Sequence, residues 1–247
     1  MLQGKSVIIT GASRGIGRQI ALTFASQGAN LVINGNDLKQ LEQVSKEAQA
    51  LGSKVVIVPG DISLFETAQR LATECLANFS TIDVLVNNAG TMLRAPFLEV
   101  DLQAWQKVMD VNFSGSVYTC RCVLPTMIEK KQGSIINIAS VAGKTAHANS
   151  TACYGASKAA LLSLTQKLAL DMGPYNIRVN AIAPGPIATE MTDQWTPEYR
   201  EKVLAKIPLQ RLGKPTDIAN TALFLASDLA DFITGESINV NGGTYMN

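Results

Sequence analysis

Seven short apolar, β-branched runs alternate with helical stretches along nearly the whole chain. They lie at 6–10 (SVIIT), 31–34 (LVIN), 55–58 (VVIV), 84–87 (VLVN), 134–139 (SIINIA), 178–182 (RVNAI) and 237–240 (SINV). Most are continuous rather than alternating in polarity, the pattern of strands covered on both faces. Between them, 16–27, 38–51, 65–78, 102–130, 154–172 and 216–226 repeat apolar residues at helical spacing. A strand that returns to the same sheet through a helix pairs in parallel. The sequence therefore predicts an α/β fold, a doubly wound parallel sheet of Rossmann type with about seven strands and helices on both faces. Neither a linker nor a repeat interrupts residues 1–247, so one domain is expected, and 47% hydrophobic residues suffice for its core.

Composition removes several classes of function. With 21 Lys+Arg against 20 Asp+Glu the net charge is +1, which gives no basic footprint for nucleic acid. No apolar run approaches the roughly 20 residues of a membrane span, and Met1-Leu2-Gln3-Gly4-Lys5 leads into the first strand without a signal-peptide core. A soluble, cytoplasmic protein is expected. Cys75, Cys120, Cys122 and Cys153 are too few and too irregular for a disulfide framework, and Cys120-Arg121-Cys122 lacks metal-ligand spacing. No metal is expected. A serine hydrolase would have to pair Ser140 with the single histidine, His147, in a stretch that reads as a loop.

The first run passes directly into Thr10-Gly11-Ala12-Ser13-Arg14-Gly15-Ile16-Gly17 and then into a helix. Glycine at 11, 15 and 17 lets the backbone turn tightly and approach a phosphate, to which the helix N-terminus offers unpaired N–H groups. No Gly-Lys-Ser/Thr closes the turn, so it is not a Walker loop; nor is it the plain G-x-G-x-x-G spacing. At the first strand-to-helix turn of a parallel sheet, it reads as a dinucleotide site. The end of the second run then bears on NAD against NADP. A carboxylate there holds ribose hydroxyls, whereas a nearby cation takes the 2′-phosphate. The positions are Gly35 and Asn36, both uncharged, and Asp37 reads as the N-cap of the next helix. Arg14 is the cation suited to a phosphate, so NADP is favoured over NAD.

Tyr154 and Lys158 in Tyr154-Gly155-Ala156-Ser157-Lys158 share a helix face at i and i+4. An ammonium beside a phenol favours phenolate, so Lys158 is expected to lower the Tyr154 pKa from about 10 and make it a proton donor or acceptor near neutrality. Ser140 follows the fifth run at the carboxyl edge, where open α/β sheets hold ligands. Its hydroxyl suits a substrate oxygen, or alternatively a helix cap. The proline-bearing stretch 184–208 is the least regular, and reads as a lid or, alternatively, as a solvated connecting helix.

These motifs, in this order, resemble those of the short-chain dehydrogenase/reductase family over essentially the full length. Thr10 to Gly17 is similar to the family's cofactor loop, Gly60-Asp61-Ile62 to its adenine-contacting turn, and Asn87-Asn88-Ala89-Gly90 to the motif after its fourth strand. Asn112, Ser140, Tyr154 and Lys158 match the catalytic positions. Pro184-Gly185-Pro186-Ile187-Ala188-Thr189 is similar to the nicotinamide-side segment, and Ile233-Thr234-Gly235-Glu236-Ser237-Ile238-Asn239-Val240-Asn241-Gly242-Gly243 to the family's closing segment. The resemblance implies cofactor contacts from Gly11, Ser13, Arg14, Gly15, Ile16 and Gly17, from Asn36, Asp61 and Ile62, and from Asn88, Ala89 and Gly90. It adds Pro184, Gly185, Ile187 and Thr189, together with Tyr154 and Lys158. The implied reaction is reversible hydride transfer between NAD(P) and a small-molecule ketone or secondary alcohol. Tyr154 would be its general acid/base and Ser140 would steady the carbonyl oxygen. Lys158 would hold the nicotinamide ribose, and Asn112 would support a water that links Lys158 to solvent.

Two departures stand out. Ser140 and Tyr154 are fourteen positions apart, one more than in the commonest members, so the loop between them carries an extra residue. Lys130 and Lys131 match one basic place that the family's 3-oxoacyl-(acyl carrier protein) reductases use for their carrier, but Tyr175 stands at the other. Such a reductase and a sugar-acid or polyol dehydrogenase both remain readings of the substrate. A non-catalytic nucleotide-binding regulator would need a broken Ser-Tyr-Lys set. The helical stretches 102–130 and 154–172 are long, and the second spreads Ala159, Leu161, Leu162, Leu164, Leu168 and Leu170 around its circumference. A helix apolar on two sides needs a second covering surface. The resemblance supplies it, since family members commonly form tetramers through these helices. A homotetramer is therefore expected, with a homodimer as the alternative.

Overall fold

In the computed structural model, which describes all residues except 147–149, 191, 193, 194 and 247, the seven runs form one parallel sheet. Its strands are β1 (Ser6–Ile9), β2 (Asn30–Gly35), β3 (Val55–Pro59), β4 (Val84–Asn87), β5 (Gly133–Ile138), β6 (Ile177–Pro184) and β7 (Ser237–Val240). They lie in the order β3-β2-β1-β4-β5-β6-β7. The crossovers are α1 (Gly15–Ala25), α2 (Leu38–Ala50), α3 (Phe65–Phe79), α4 (Leu102–Met109) with α5 (Gly115–Lys130), and α6 (Ala152–Met172). Between β6 and β7 lie α7 (Pro197–Leu204) and α8 (Pro215–Ala226).

Side chains within one strand alternate between faces. Val7, Ile9, Leu31, Ile33, Val84 and Val86 enter one core with Ile20 and Phe24 of α1, Leu41 of α2 and Ile218 of α8. Their neighbours Ile8, Val32, Leu85 and Ile135 enter the other with Leu71 of α3 and Val123 and Met127 of α5. Both faces demand apolar residues, which is why these strands read as unbroken apolar runs. The chain winds one way from β1 to β3 and the other way from β4 to β7. Loops leaving the carboxyl ends of adjacent β1 and β4 therefore diverge and open a crevice.

The structure corrects one expectation about helices. The stretch 102–130 is not continuous, because a π-helical segment, Asp110–Ser114, separates α4 from α5. The stretch 184–208 contains α7, capped by Thr196 accepting from the Tyr199 N–H at 3.3 Å. This helix buries none of its residues, as the alternative of a solvated connecting helix expects. His147, the histidine of the hydrolase reading, lies outside the described residues.

Candidate active site

The loops at the crevice are locked to one another by short polar side chains. Thr10 Oγ1 accepts the N–H groups of Asn88 and Ala89 at 3.0 Å each. In return, Asn88 Nδ2 donates to the carbonyls of Thr10 at 3.0 Å and Gly11 at 2.9 Å. The Ala12 N–H reaches the Asn34 carbonyl at 2.7 Å, and Asn34 Nδ2 continues to the Val58 and Gly60 carbonyls, both at 3.0 Å. The ends of β1, β2, β3 and β4 thus form one rim.

Within this rim Gly17 is dictated by space. A Cβ there would stand 2.2 Å from the Gly11 carbonyl oxygen and 2.4 Å from Asn88 Nδ2. Gly11 needs its φ of +63°, and Gly15 its φ of +55°, both in the left-handed region that favours glycine. Helix α1 then begins with no side chain capping it, since Arg14 at the cap is extended and offers no acceptor. A close-approach glycine turn ending in an uncapped helix N-terminus fits a dinucleotide pyrophosphate. Arg14 is exposed and has no ion-pair partner among the described residues.

At the end of β2 the described carboxylate is already engaged. Ser13 Oγ lies 3.2 Å from where a Cβ on Gly35 would stand, Asn36 is exposed, and Asp37 is spent capping α2 by accepting from Gln40 N–H at 3.1 Å. In the next turn Asp61 accepts from Ser63 N–H at 2.9 Å and from its hydroxyl at 2.7 Å, and pairs with Lys107 of α4. Burial pushes the Asp61 carboxyl up, but Lys107 and Ser63 together outweigh it and hold the pKa below the usual value. Ile62 is buried, with its carbonyl 2.9 Å from where a Cβ on Gly115 would lie.

The reacting end is built on α6. Ser140 opens a 3-10 turn, Val141–Gly143, and its Oγ accepts from the Ala142 N–H at 3.1 Å. A Cβ on Gly143 would stand 2.7 Å from the Lys158 backbone carbon. Glycine at this position therefore lets the turn rest directly on α6. This contact brings Ser140 within hydrogen-bonding reach of the Tyr154 phenol. The hydroxyl caps the turn as acceptor, one of the two expectations for Ser140, and this leaves its own hydrogen to donate.

Lys158 is 4% exposed and donates to the Ile138 carbonyl at 2.7 Å. Burial lowers its pKa to about 8. The Tyr154 pKa is raised, by burial first, with the Ser140 hydrogen bond opposing. This corrects the expectation of a lowered phenol. A low-dielectric site penalises phenolate and ammonium alike, and Lys158 Nζ is 5.9 Å from the Tyr154 ring centre rather than bonded to it. The phenol is accordingly held in its proton-donating form.

Asn112 sits in the π-helical segment, fully buried. Its Oδ1 accepts from Thr91 N–H at 2.7 Å; its Nδ2 donates to the Thr91 carbonyl at 2.9 Å and to Ser157 Oγ at 3.0 Å. Both amide hydrogens are therefore used within the protein. Asn112 Oδ1 and Lys158 Nζ both approach Gly90, at 3.5 and 3.6 Å from where its Cβ would be. Across the crevice, Thr189 reaches within 3.5 Å of the Cβ position of Gly15. Ile187 is buried in the first core, and Gly185 N–H bonds the Val240 carbonyl at 3.1 Å beyond Pro184. Among the described residues no three His, Cys, Asp or Glu are grouped to hold a metal.

The family profile described as enoyl-(acyl carrier protein) reductase matches residues 11–245. The chain is 40% identical over 247 residues to 3-oxoacyl-[acyl-carrier-protein] reductase FabG of Staphylococcus aureus, covering 100% of both. Its structure superposes on 3-oxoacyl-[acyl-carrier protein] reductase from Brucella melitensis with a TM-score of 0.92 at 36% identity, covering 100% of this chain and 94% of that one. A structure from Sinorhizobium meliloti named as a candidate short-chain alcohol dehydrogenase gives a TM-score of 0.94 at 33% identity, covering 98% and 97%.

The chain belongs to the short-chain dehydrogenase/reductase family.

As a short-chain dehydrogenase/reductase it is an NAD(P)-dependent oxidoreductase acting between a ketone and a secondary alcohol. The structure brings nearly all the sequence-predicted residues to one crevice, but not all as direct contacts. Asn88 spends its amide on the glycine turn, Ile62 and Ile187 bury their side chains in the cores, and Ile16 is partly buried against the first of them. Lys130, matched to a carrier-binding place, is committed to Asp83, Thr81 and the Ile82 carbonyl. Sequence reasoning missed a buried polar ladder beneath the site. Asn87 Nδ2 donates to Asn137 Oδ1 at 2.9 Å, Thr119 of α5 donates to Asn87 at 2.6 Å, and Asn137 donates to Thr165 of α6 at 2.9 Å. Asparagine inside two otherwise apolar strand runs was the available signal, because a buried amide requires partners.

Proposed function

We propose that this short-chain dehydrogenase/reductase uses NADPH to reduce a 3-oxoacyl thioester, with Ser140, Tyr154 and Lys158 as its catalytic residues and residues 1–247 as one catalytic domain. The observation that carries the reading is the Ser140–Tyr154 pair: two hydroxyl donors brought together beside a buried ammonium. The bound nicotinamide supplies the hydride. Ser140 holds the carbonyl oxygen, and Tyr154, kept protonated by burial, gives its proton as that oxygen gains charge. Lys158 stabilises the phenolate so formed, and its hydrogens not used by Ile138 are available to the nicotinamide ribose. Asn112 acts as a positioning residue, fixing Thr91 and Ser157 around Lys158. Full-length similarity to a 3-oxoacyl-[acyl-carrier-protein] reductase supports the thioester. With Lys130 committed internally, Lys131 is the neighbouring cation left for an acidic carrier.

Nicotinamide absorbance, followed with NADPH or NADH against acetoacetyl-coenzyme A, a keto sugar acid and a small diketone, tests this. The thioester with NADPH is expected to give the highest kcat/KM. A higher value for the sugar acid would overturn the substrate assignment, and no turnover of any ketone would overturn the catalytic one.

Arg14 carries the NADPH preference. Arg14→Ala is expected to weaken NADPH binding by about 1.5–3 kcal/mol, the range for hydrogen bonds to a charged group, and to leave NADH unchanged. Equal losses in a fluorescence titration would make Arg14 an ordinary loop residue.

The working assembly is a cytoplasmic homotetramer. On α6, Ala156 and Ala159 are exposed and Leu170 is 73% exposed, and Leu98 and Leu102 beside α4 are 94% and 80% exposed. Apolar surface of this kind on a single chain supports a covering copy. Light scattering should give about 105 kDa, four copies of the 26.3 kDa chain in closed symmetry. A monomer would refute it.

A further inference from the structure

The turn that carries Ser140 is held from two sides. Within it, Gly143 N–H bonds the Ser140 carbonyl at 3.0 Å, and the N–H groups of Lys144 and Thr145 both bond the Val141 carbonyl at 3.0 Å. One side rests on α6 through Gly143, as described. On the other, the Lys144 side chain crosses to the edge strand β7, where Nζ donates to the Ser237 carbonyl at 2.9 Å and to Asn239 Oδ1 at 2.8 Å. The same ammonium stands 5.8 Å from the centre of the Tyr245 ring. Two oxygens and one aromatic face account for its three N–H groups.

This lysine is half-buried and, among the described residues, in no ion pair, though the charge of Glu236 opposes the lowering of its pKa by burial. Its anchors also lead back to the site. Asn241 Nδ2 donates to the Tyr245 carbonyl at 2.9 Å, and Asn241 Cβ packs 2.7 Å from where a Cβ on Gly185 would stand. The Ser140 turn is thereby tied to the segment 184–189 through the chain's closing residues.

We propose that Lys144 is a positioning residue for Ser140: its ammonium fixes the turn to β7 and Tyr245, and so sets where the Ser140 hydroxyl meets the substrate oxygen. The proposal rests on the catalytic assignment of Ser140 made above.

The test is a double-mutant cycle on the intact enzyme, with acetoacetyl-coenzyme A and NADPH as probes. Lys144→Met, which keeps the stem and removes the cation, is expected to lower kcat about tenfold with the KM for NADPH unchanged. Lys144→Arg should recover most of the loss, because it keeps a cation able to meet two oxygens and an aromatic face. In a Ser140→Ala background the further loss from Lys144→Met should vanish, since groups acting as a unit are not additive. Tyr245→Leu, which removes only the aromatic anchor, should give a smaller loss that is likewise absent without Ser140. Equal fold-losses with and without Ser140, or no loss at all, would overturn the role of Lys144. Undiminished activity of Ser140→Ala alone would instead overturn the catalytic assignment beneath it.

Discussion

Tyr154→Phe is expected to lower kcat by at least about 10²-fold, the lower range for general acid catalysis, while NADPH still binds. The phenylalanine ring keeps the packing of Tyr154 and removes only the hydroxyl that meets Ser140. Burial already holds this phenol protonated, so the wild-type enzyme has its proton in place across the neutral range. In the proposed mechanism its release depends on the buried ammonium of Lys158. Steady-state rates with a ketone and NADPH, together with a binding titration, give the result. Near-normal turnover would place the proton donor elsewhere.

Lys158→Met should separate stability from activity. Burial shifts the lysine from 10.5 to about 8. A lysine whose pKa is lowered on folding destabilises the fold wherever it is charged in both states. That penalty is fully present below about pH 8 and fades as the pH rises towards 10.5. A shift of this size corresponds to about 3 kcal/mol. Against it, losing the bond to the Ile138 carbonyl costs about 1–2 kcal/mol. The variant should therefore match or exceed the wild type at neutral pH, by up to about 2 kcal/mol or a few degrees in Tm, and lose that advantage above pH 10. Its kcat should fall by at least about 10²-fold. A large drop in Tm at pH 7 would mean that Lys158 is a structural element rather than one retained for chemistry at a cost in stability.

How much of this was legible in the sequence follows from what each residue contacts. Strand placement was readable to within a residue or two, because both faces of the sheet are covered and most strand positions are apolar. The glycine turn and the Tyr154–Lys158 pair were readable because they rely on local spacing. The break in 102–130 was not. A π-helical segment adds no unusual residue type, and the apolar period runs on through it, yet that segment is what turns Asn112 toward Thr91 and Ser157. Helix α7 buries nothing and so left no stripe. The direction of the Tyr154 shift also escaped, because spacing shows that an ammonium is near but not that both groups are out of water. Lys144 looked like a loop residue; its partners on β7 lie more than ninety positions further along the chain.

The order in which the rim is synthesised has a consequence of its own. Thr10, Gly11, Asn34, Gly60 and Asn88, which lock the first four strand ends together, all lie within the first ninety residues. Those strands are also contiguous in the sheet, in the order β3-β2-β1-β4. Ser140, Tyr154 and Lys158 are added only afterwards. A chain emerging from the ribosome therefore carries its rim residues early, yet helix α8, which covers α1, and the segment 184–189, which faces Gly15, follow more than ninety residues later, so the cradle closes only as the whole domain folds. A nucleotide that binds only the folded chain would therefore stabilise the finished domain rather than the half-made one.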